Sequence, residues 1–475
     1  MLRKIFFVSF VLAMLLAGKL ALAEDATIPA QTITSDLEME VCVYVDGHAD
    51  FYFDVYSLVY IKTPGTVKIP ECERRTFELV GLNEKNVDAY KKELARLQIS
   101  SVRLRKETTD AQLKTYIDAG LLTNLTSLEL SKCENLTDIT PLGKLQNLTS
   151  LDLDRCNKLT DIKPLAALQN LTSLNLTGFG RLTDIKPLAK LQNLTSLRLY
   201  SCKRLTDIKP LISLQKLTSL KLVGLSDSLT DITPLVKLQN LTSLVLDHCG
   251  KLTPLGKLRN LTTLKLSRCD SLEDIAPLAN LQKLTSLELS YCGNLTDITP
   301  VAKLSNITSL ELSYCANLTD ITPLTSLQNL TSLNLCATGR LTDITPLAAL
   351  RKLTNLDLQG CRSLRDIQPL AWLPNLEELD LNYCTNIKSF YPISGHKKLK
   401  TLAVTIPHND ISFLRNLKQL KKLEFRECPK LSNVNPLANL RKLEKLEFHR
   451  CKLVTKETLD ELRKKLPKNC DVWPR

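Results

Sequence analysis

Residues 148–170 read LTSLDLDRCNKLTDIKPLAALQN, and near-copies of this stretch succeed one another from about Leu125 to about Leu453. The second leucine of each Leu-x-Leu triplet marks one copy. It recurs every 23 residues, with one step of 24 and one of 20, until Val404, Phe425 and Phe448 replace it in the last copies. These markers define fifteen successive coils of one design, so the chain is predicted to be a repeat array.

Each copy combines one short strand with one compact return. Leu151 and Leu153 alternate with polar residues, which indicates a strand whose alternate side chains point inward. Ile162 and Leu165 supply apolar side chains in the second half, where Pro164 excludes a place in a sheet ladder. A single coil buries too little surface to offset the entropy lost by its backbone, so the coils must stack and share their leucines.

The phrase DIxPLxxLxxLxxLxL recurs along the array and resembles the repeats of bacterial internalin-like leucine-rich repeat proteins. The residues that carry the resemblance in one copy are Asp161, Ile162, Pro164, Leu165, Leu168, Leu171, Leu174 and Leu176. The resemblance implies an α/β solenoid, a leucine-rich repeat horseshoe with a concave parallel β-sheet and short 3-10 or extended returns on the convex side. It also implies a β-rich N-terminal cap, a helical C-terminal cap and protein ligands bound on the concave face.

The repeats depart from that family in two ways. They are one residue longer than usual and carry Cys where the family has Asn. Neither a cell-wall sorting signal nor an immunoglobulin-like module follows them. The resemblance therefore implies the fold but not a role in host-cell invasion.

Residues 1–23 resemble a secretory signal peptide. Arg3 and Lys4 precede an apolar run over residues 5–16, and residues 21–23 form a small-residue cleavage motif. The run is shorter than the roughly 20 residues that a spanning helix needs, and Lys19 prevents its extension toward the cleavage motif. We therefore expect an exported protein, periplasmic, on the cell surface or secreted, without a transmembrane segment in the mature chain.

The array, residues 76–453, is predicted to lie between two caps. Residues 24–75 form the β-rich N-terminal cap, in which 41–45 and 51–55 alternate as the arms of a hairpin. Residues 76–120 are predicted as divergent first coils with outer helices at 86–97 and 109–119, and 454–475 as a closing helix, capped by Thr455, and a tail. Export favours two disulfides, Cys42 with Cys72 and Cys451 with Cys470, although free thiols remain an alternative.

One cysteine follows the strand in most coils. The positions are Cys133, Cys156, Cys202, Cys249, Cys269, Cys292, Cys315, Cys361, Cys384, Cys428 and Cys451, with Phe179, Leu225, Thr338 and Pro407 in the other four coils. Phe and Leu at the same place indicate a buried column, and parallel side chains do not supply the torsion of a disulfide. We expect reduced, inert thiols and no metal, since the cysteines fall one per coil without a CxxC pair.

A second column holds the aspartate of each Thr-Asp-Ile triplet. A calcium stack would need six to eight oxygens, whereas apolar residues flank this position. Hydrogen bonds from backbone amides at the turn to each carboxylate are the favoured interpretation.

The residue between the two strand leucines is free to vary, and its charge occurs in blocks. A basic middle is followed by an acidic band from Glu288 to Asp380, within which three tyrosines share one column. Because Tyr and Arg commonly anchor interfaces, we predict a ligand-binding concave face; ordinary solvated positions are the alternative. The candidate residues are Arg198, Tyr200, Lys221, Lys265, Arg268, Glu288, Tyr291, Glu311, Tyr314, Asp357, Asp380 and Tyr383.

Composition limits the function classes. The formal charge is +13, which favours acidic surfaces or polysaccharides as partners, but the basic residues are dispersed and form no stripe for nucleic acid. Five histidines, two tryptophans and the lack of GxSxG, HExxH or phosphate-binding glycine motifs argue against an enzyme, a catalytic site or a cofactor. We predict protein recognition through the concave face, with carbohydrate binding by a structural or adhesive envelope protein as the alternative and an enzyme a distant third.

Overall fold

The computed structural model describes residues 31–35, 40–44, 59–62, 65–69, 74–79, 81–225, 231–249 and 251–474. The predicted leader, the hairpin arm at 51–55 and Cys72 lie outside these ranges. No helix in this part of the chain is long and apolar enough to cross a membrane. The chain divides into two compact units, one up to Leu214 and one from Gln215 onward, and each is described by itself.

The first unit begins with antiparallel strands. Strand β1 (Gln31–Ser35) pairs with β4 (Gly65–Ile69), and β2 (Glu40–Tyr44) pairs with both β3 (Val59–Lys62) and β5 (Arg74–Glu78). The predicted first arm is thus a strand, and β3 and β5 are its partners among the described residues. From β5 onward the pairing is parallel.

Two α-helices precede the regular coils of this unit, as predicted. Helix α1 spans Val87–Arg96, and α2 spans Asp110–Asp118. At the start of α2, Gln112 N donates to Thr109 Oγ1, and Thr109 N donates to the Gln112 side chain, which completes a capping box. Both helices bury one apolar stripe, because a long amphipathic return replaces the proline-led one.

Parallel strands and 3-10 returns alternate through the rest of the first unit. The strands are β6 (Ser101–Arg103), β7 (Ser127–Glu129), β8 (Ser150–Asp152), β9 (Ser173–Asn175) and β10 (Ser196–Tyr200). The returns are Thr140–Lys144, Lys163–Ala167, Lys186–Lys190 and Lys209–Ser213, each with proline in its first turn. Proline suits that position because the first amide of a helix has no internal acceptor.

The second unit repeats the same design and ends in a helix and a strand. Its strands are β11 (Ser219–Val223), β12 (Ser243–Asp247), β13 (Thr263–Ser267), β14 (Ser286–Ser290), β15 (Ser309–Glu311), β16 (Ser332–Asn334), β17 (Asn355–Asp357), β18 (Glu378–Leu381), β19 (Thr401–Val404), β20 (Lys422–Arg426), β21 (Lys445–His449) and β22 (Asp471–Pro474). Its returns are Thr233–Lys237, Thr253–Lys257, Ala276–Asn280, Thr299–Lys303, Thr322–Ser326, Thr345–Ala349, Gln368–Trp372, Tyr391–Gly395, Ser412–Asn416 and Asn435–Asn439. Helix α3 (Lys456–Arg463) comes after the last return, capped by Thr455 as predicted.

Within each unit, every strand of the array pairs in parallel with the next, so equivalent positions of successive coils lie side by side. Leu287 is in register with Leu310, and Leu310 with Leu333. The strand leucines and the apolar residues of the returns are buried almost completely. The predicted solenoid is therefore confirmed within each unit.

The cysteine column is buried, as predicted, and its thiols complete backbone hydrogen bonding. Cys315 Sγ donates to Leu289 O at 3.0 Å and Cys384 Sγ to Leu358 O at 3.0 Å, each reaching the preceding coil. One assignment was wrong: Ile406, not Pro407, occupies the column in its coil, because Ile406 is fully buried and its N–H donates to Cys428 Sγ at 3.2 Å. That coil is two residues shorter than the standard repeat, so the chain reaches the column one residue earlier, at Ile406.

The expected bridge between Cys451 and Cys470 is not formed. Both are free thiols in the structure. Cys451 takes part in the column, where its thiol interacts with Cys428 and with Phe425 O at 3.7 Å. Cys470 is half-buried outside the column.

The aspartate column has the predicted structural role. Asp343 Oδ1 accepts the backbone N–H of Thr345 at 2.8 Å, two residues further on, and Asp161 does the same for Lys163 at 2.8 Å. Each bond satisfies an amide at the start of a 3-10 return, where no backbone acceptor is available.

Removal of one such acceptor should lower stability slightly. Asp343→Ala leaves the Thr345 amide to water, and we expect the free energy of unfolding to fall by about 0.5–1 kcal/mol in urea denaturation. Asp343→Asn keeps an oxygen acceptor and should stay within about 0.5 kcal/mol of the natural protein. Equal losses in the two variants would contradict this role.

The buried thiols should be inert in the folded protein. Burial raises the pKa of Cys315 to about 12 and that of Cys361 to about 11, so neither forms a thiolate at pH 8. In a titration with a thiol reagent, mapped by mass spectrometry, we expect the column to react only after unfolding in guanidinium. The half-buried Cys470 should react first, and Cys470→Ser should remove that early step. Modification of Cys315 in the native protein would contradict the prediction.

Candidate functional site

The candidate residues lie on the solvent side of the parallel sheet. We call this side the strand face: it consists of the residue between the two strand leucines, the residue after the second leucine and the residue that follows it. This last residue has a positive φ in every regular coil except the one that contains Val404, and we call these positions the turn column. Tyr291, Tyr314 and Tyr383 belong to the turn column, with φ values of 56, 57 and 58°.

Two candidates belong to the first unit. Arg198 and Tyr200 are half-buried on β10, and Arg198 is in register with Asn175 of β9. Asn175 in turn donates to Asp152 Oδ1 at 3.2 Å. The structure therefore places this pair beside polar side chains of neighbouring coils.

The basic candidates of the second unit do not form a separate block. Lys265 lies in register with Glu288, and its Nζ is 3.3 Å from Glu288 Oε2. Lys221 is half-buried on β11, and Arg268 is exposed in the turn column. Lys265, the lysine nearest the acidic band, is thus paired with Glu288, the first carboxylate of that band.

Tyr291 and Tyr314 form an exposed stacked pair. Their ring centroids are 4.3 Å apart with an angle of 6° between the planes. The two side chains remain 38% and 43% exposed, so the stack offers an aromatic surface to solvent. Adjacent coils bring them together because Tyr291 N donates to Ser313 O, which carries the backbone ladder into the turn column.

Beside the pair, the strand face carries carboxylates with raised pKa values. Burial raises the pKa of Glu311 to about 7, against hydrogen bonds from Ser313 and helped by the negative charge of Glu288. Burial also raises the pKa of Asp357, and it raises that of Asp380 to about 7. None of these three forms an ion pair within the part of the chain that the structure describes.

Tyr383 lies apart from the stacked pair and contacts a cation that the sequence analysis missed. The Arg426 guanidinium carbon is 5.8 Å from the Tyr383 ring centroid, and Arg426 Nη1 donates to the Tyr383 hydroxyl at 3.4 Å. Arg426 Nε also donates to Glu424 Oε1 at 2.7 Å. Arg426 lies two coils after Tyr383 on the strand face. Aligning the coils and comparing side chains two coils apart could have identified this contact.

One group of side chains has metal-ligating atoms close together. Donor atoms of Glu424, Glu447 and His449 lie within 4.8 Å of one another. Protein cations already occupy this place, because Arg426 pairs with Glu424 and Lys445 Nζ is 3.0 Å from Glu447 Oε1. We therefore assign no metal to it.

A cleft of about 450 Å³ lies on the return side of the second unit. Phe390, Phe413 and His408 line it, with Tyr391 at its rim, 73% exposed. None of these residues was a candidate from the sequence, because they fall in the least regular coil.

Two families of repeats match the sequence. The family described as leucine-rich repeats (2 copies) matches residues 123–167 and 169–213, and the BspA-type leucine-rich repeat region (6 copies) matches residues 255–365 and 402–470. Together these matches span more than half of the chain. No curated protein matches the chain.

Solved structures with similar folds include several bacterial repeat proteins. A leucine-rich repeat protein of Leptospira interrogans is 20% identical, with a TM-score of 0.59, over 82% of this chain and 97% of its own. An internalin of Listeria monocytogenes (inlF) is 28% identical, with a TM-score of 0.46, over 76% and 94%. The functional domain of InlJ from Listeria monocytogenes, described as including a cysteine ladder, is 21% identical, with a TM-score of 0.38, over 73% and 61%. On its family matches, the chain belongs to the leucine-rich repeat proteins, and its repeats are internalin-like.

Proposed function

We propose that this protein is an exported recognition protein that binds another protein through the strand face of its second unit. The exposed Tyr291–Tyr314 stack carries the proposal, because two large aromatic side chains stand on a surface where the fold needs neither of them. The leader pattern in residues 1–23 supports export. Leucine-rich repeat folds commonly mediate protein–protein recognition, which supports the choice of partner.

The backbone gives no reason for tyrosine at these positions. A positive φ disfavours residues with a Cβ, and the same turn column holds Gly178 in the first unit and Gly360 in the second. Tyr291 and Tyr314 adopt φ values of 56 and 57°, a conformation that costs a bulky residue about 1 kcal/mol or more. The turn adopts this conformation in nearly every coil, so these two positions are distinguished by their exposed aromatic side chains and not by their backbone.

The raised pKa values of the neighbouring carboxylates also support a role in binding, because these groups destabilise the fold when they ionise. The pKa values of Glu311 and Asp380 are raised to about 7, above the ordinary values near 4, so the folded state holds more protons than the unfolded state between these limits. The stability from these groups is therefore present in full below about pH 4 and is lost as the pH rises through about 7. At neutral pH the face keeps ionised groups that weaken the fold, as expected of residues retained for function.

Carbohydrate binding is the alternative partner class. The nearly parallel rings of Tyr291 and Tyr314 would suit a sugar ring. Tyr383 does not join them, because two intervening coils separate it from Tyr314 and it contacts Arg426 instead. The three tyrosines thus do not form one aromatic platform, and an exposed pair of tyrosines is typical of the aromatic anchors of a protein interface.

Loss of the stacked pair should abolish partner capture. In pull-down from an envelope extract with quantitative mass spectrometry, we expect the Tyr291→Ala/Tyr314→Ala variant to capture at least tenfold less of the specific partner, because truncation of a hot-spot tyrosine costs about 2 kcal/mol or more. The matched control is Trp372→Ala/Tyr391→Ala, which removes two exposed aromatics from the return side.

The outcome of this test separates three possibilities. Equal loss in the control variant would indicate nonspecific aromatic adhesion. Unchanged capture by the strand-face variant would move the site elsewhere. Tyrosine-dependent signals on a glycan array without a captured protein would favour the carbohydrate alternative.

Neutralising a buried carboxylate should stabilise the fold in a pH-dependent manner. Asp380→Asn keeps an acceptor for Asn382 N but removes a charge whose pKa is raised, so we expect the free energy of unfolding at pH 8 to rise by about 1–3 kcal/mol. The gain should disappear near pH 4 in urea denaturation. Asp343→Asn is the control, because hydrogen bonds from Thr345 lower the pKa of Asp343 and its neutralisation should not raise stability. A loss of stability in Asp380→Asn at pH 8 would contradict the prediction, since it would mean that attraction to Arg426 outweighs burial.

A further inference from the structure

The turn column has a gap between two of its tyrosines. Between Tyr314 and Tyr383 it holds only Ala337 and Gly360, in the same left-handed conformation. The column is continuous there, because Ala337 N donates to Gln359 O at 2.7 Å and Gly360 N to Asn382 O at 2.8 Å. Tyr314 and Tyr383 are three coils apart, about 14 Å along the sheet. Two small residues therefore separate two aromatic side chains.

The strand face beside this gap presents two adjacent carboxylates. Asp357 and Asp380 are in register on β17 and β18, so their backbones lie about 5 Å apart. One oxygen of each accepts a single backbone amide, from Gln359 N at 2.8 Å and from Asn382 N at 2.7 Å. We call the gap and these carboxylates together the acidic recess, bounded by Tyr314 and Tyr383.

The two aspartates of the recess are not paired with a cation, unlike other acids of the strand face. Glu288 pairs with Lys265, and Glu424 pairs with Arg426. Asp357 and Asp380 form no ion pair among the residues that the structure describes. Arg426 attracts Asp380 from two coils away but is hydrogen-bonded to Glu424 and Tyr383.

The recess also borders a buried acceptor that has no donor in the fold. Asn382 borders Asp380 and is only 1% exposed, yet its Oδ1 has no partner. Its Nδ2 reaches Glu424 Oε1 at the long distance of 3.5 Å. A buried amide oxygen without a donor is unusual in a native structure and calls for a partner outside the fold.

We propose that the acidic recess binds the guanidinium or ammonium group of a basic side chain, arginine above all, presented by the protein partner. The inference rests on the proposed function and specifies the chemistry of the partner. A planar guanidinium can donate to two neighbouring carboxylates, and Asp357 and Asp380 are in register on adjacent strands. The Tyr383 ring already accepts one guanidinium, that of Arg426, so the walls of the recess suit a cation as well.

A divalent cation fits the recess less well. Calcium takes six to eight oxygen ligands, whereas each aspartate here already uses one oxygen on a backbone amide. Nitrogen donors of a side chain satisfy the carboxylates without requiring a full coordination shell.

The test uses the full chain and two labelled peptides. Fluorescence anisotropy is measured with fluorescein-Gly-Arg-Gly-Ser-Gly-Arg-Gly-amide and with the same peptide in which citrulline, a neutral isostere, replaces arginine. We expect the arginine peptide to bind at least tenfold more tightly. Asp357→Asn/Asp380→Asn should remove this difference. Ala337→Tyr should weaken binding at least tenfold as well, because it fills the gap without changing any charge.

The matched control is Asp343→Asn/Asp366→Asn, which removes the same charge from the return side while keeping both oxygen acceptors for backbone amides. It should bind the arginine peptide as the natural protein does. Circular dichroism checks that every variant is folded, and the asparagine variants remove charge rather than packing.

Three results would overturn the inference: equal affinity for the two peptides, unchanged affinity in Asp357→Asn/Asp380→Asn, or an equal loss in the control. Calcium binding by calorimetry that depends on Asp357 and Asp380, without arginine binding, would replace it with a metal site. Failure here is distinguishable from failure of the proposed function. If the recess variants capture the partner normally but the Tyr291→Ala/Tyr314→Ala variant does not, recognition through the strand face stands and the recess is excluded.

Discussion

Parallel, in-register pairing of each coil with the next within a unit is the constraint on which the rest of the structure depends. A strand has a side-chain period of two, so a slip of one residue would turn every leucine from the core to solvent. Register is therefore kept even where the repeat length changes. In the coil that is shortened to 20 residues, Leu246 is still in register with Leu266. The residues by which this coil is shorter are lost from the turn before Leu255. Variation in length is confined to places where it cannot shift the leucines.

The same constraint explains why so many polar side chains repeat. The strands are short, so many backbone carbonyls lie outside the ladder and need donors when they are buried. Cys384 Sγ, Asn170 Nδ2 and Thr172 Oγ1 each donate to a carbonyl of the preceding coil, at 3.0, 2.9 and 3.1 Å. Cysteine suits the innermost of these positions because it is small and apolar yet carries a weak donor. Thr338 can replace it because its hydroxyl donates to Leu335 O at 2.6 Å.

Most of the fold was predictable, because the spacing of the repeats gives the register of the strands directly. For the site, the sequence predicted only which residues occupy equivalent positions in successive coils. Spacing failed at Pro407, where the coil loses two residues, and it gave no signal for the last strand, Asp471–Pro474. Alignment placed Tyr291 beside Tyr314 because the two are one repeat apart, and the structure brings them into contact. Alignment could not show which acids are neutralised, because that depends on how far a side chain such as Lys265 extends across a coil.

Three independent departures from the best choice for folding occur in one stretch of the strand face, between Glu288 and Tyr383. Tyr291 and Tyr314 leave a stacked aromatic pair exposed to solvent instead of burying it. Carboxylates with raised pKa values stay without ion pairs among the described residues, and a buried amide oxygen at Asn382 has no donor. Each departure weakens the folded state by a different mechanism, so drift in a single property does not account for all three. A ligand with aromatic contacts, positive charge and N–H donors would compensate each of them, and the face that is weakest for folding is therefore the face best prepared for binding.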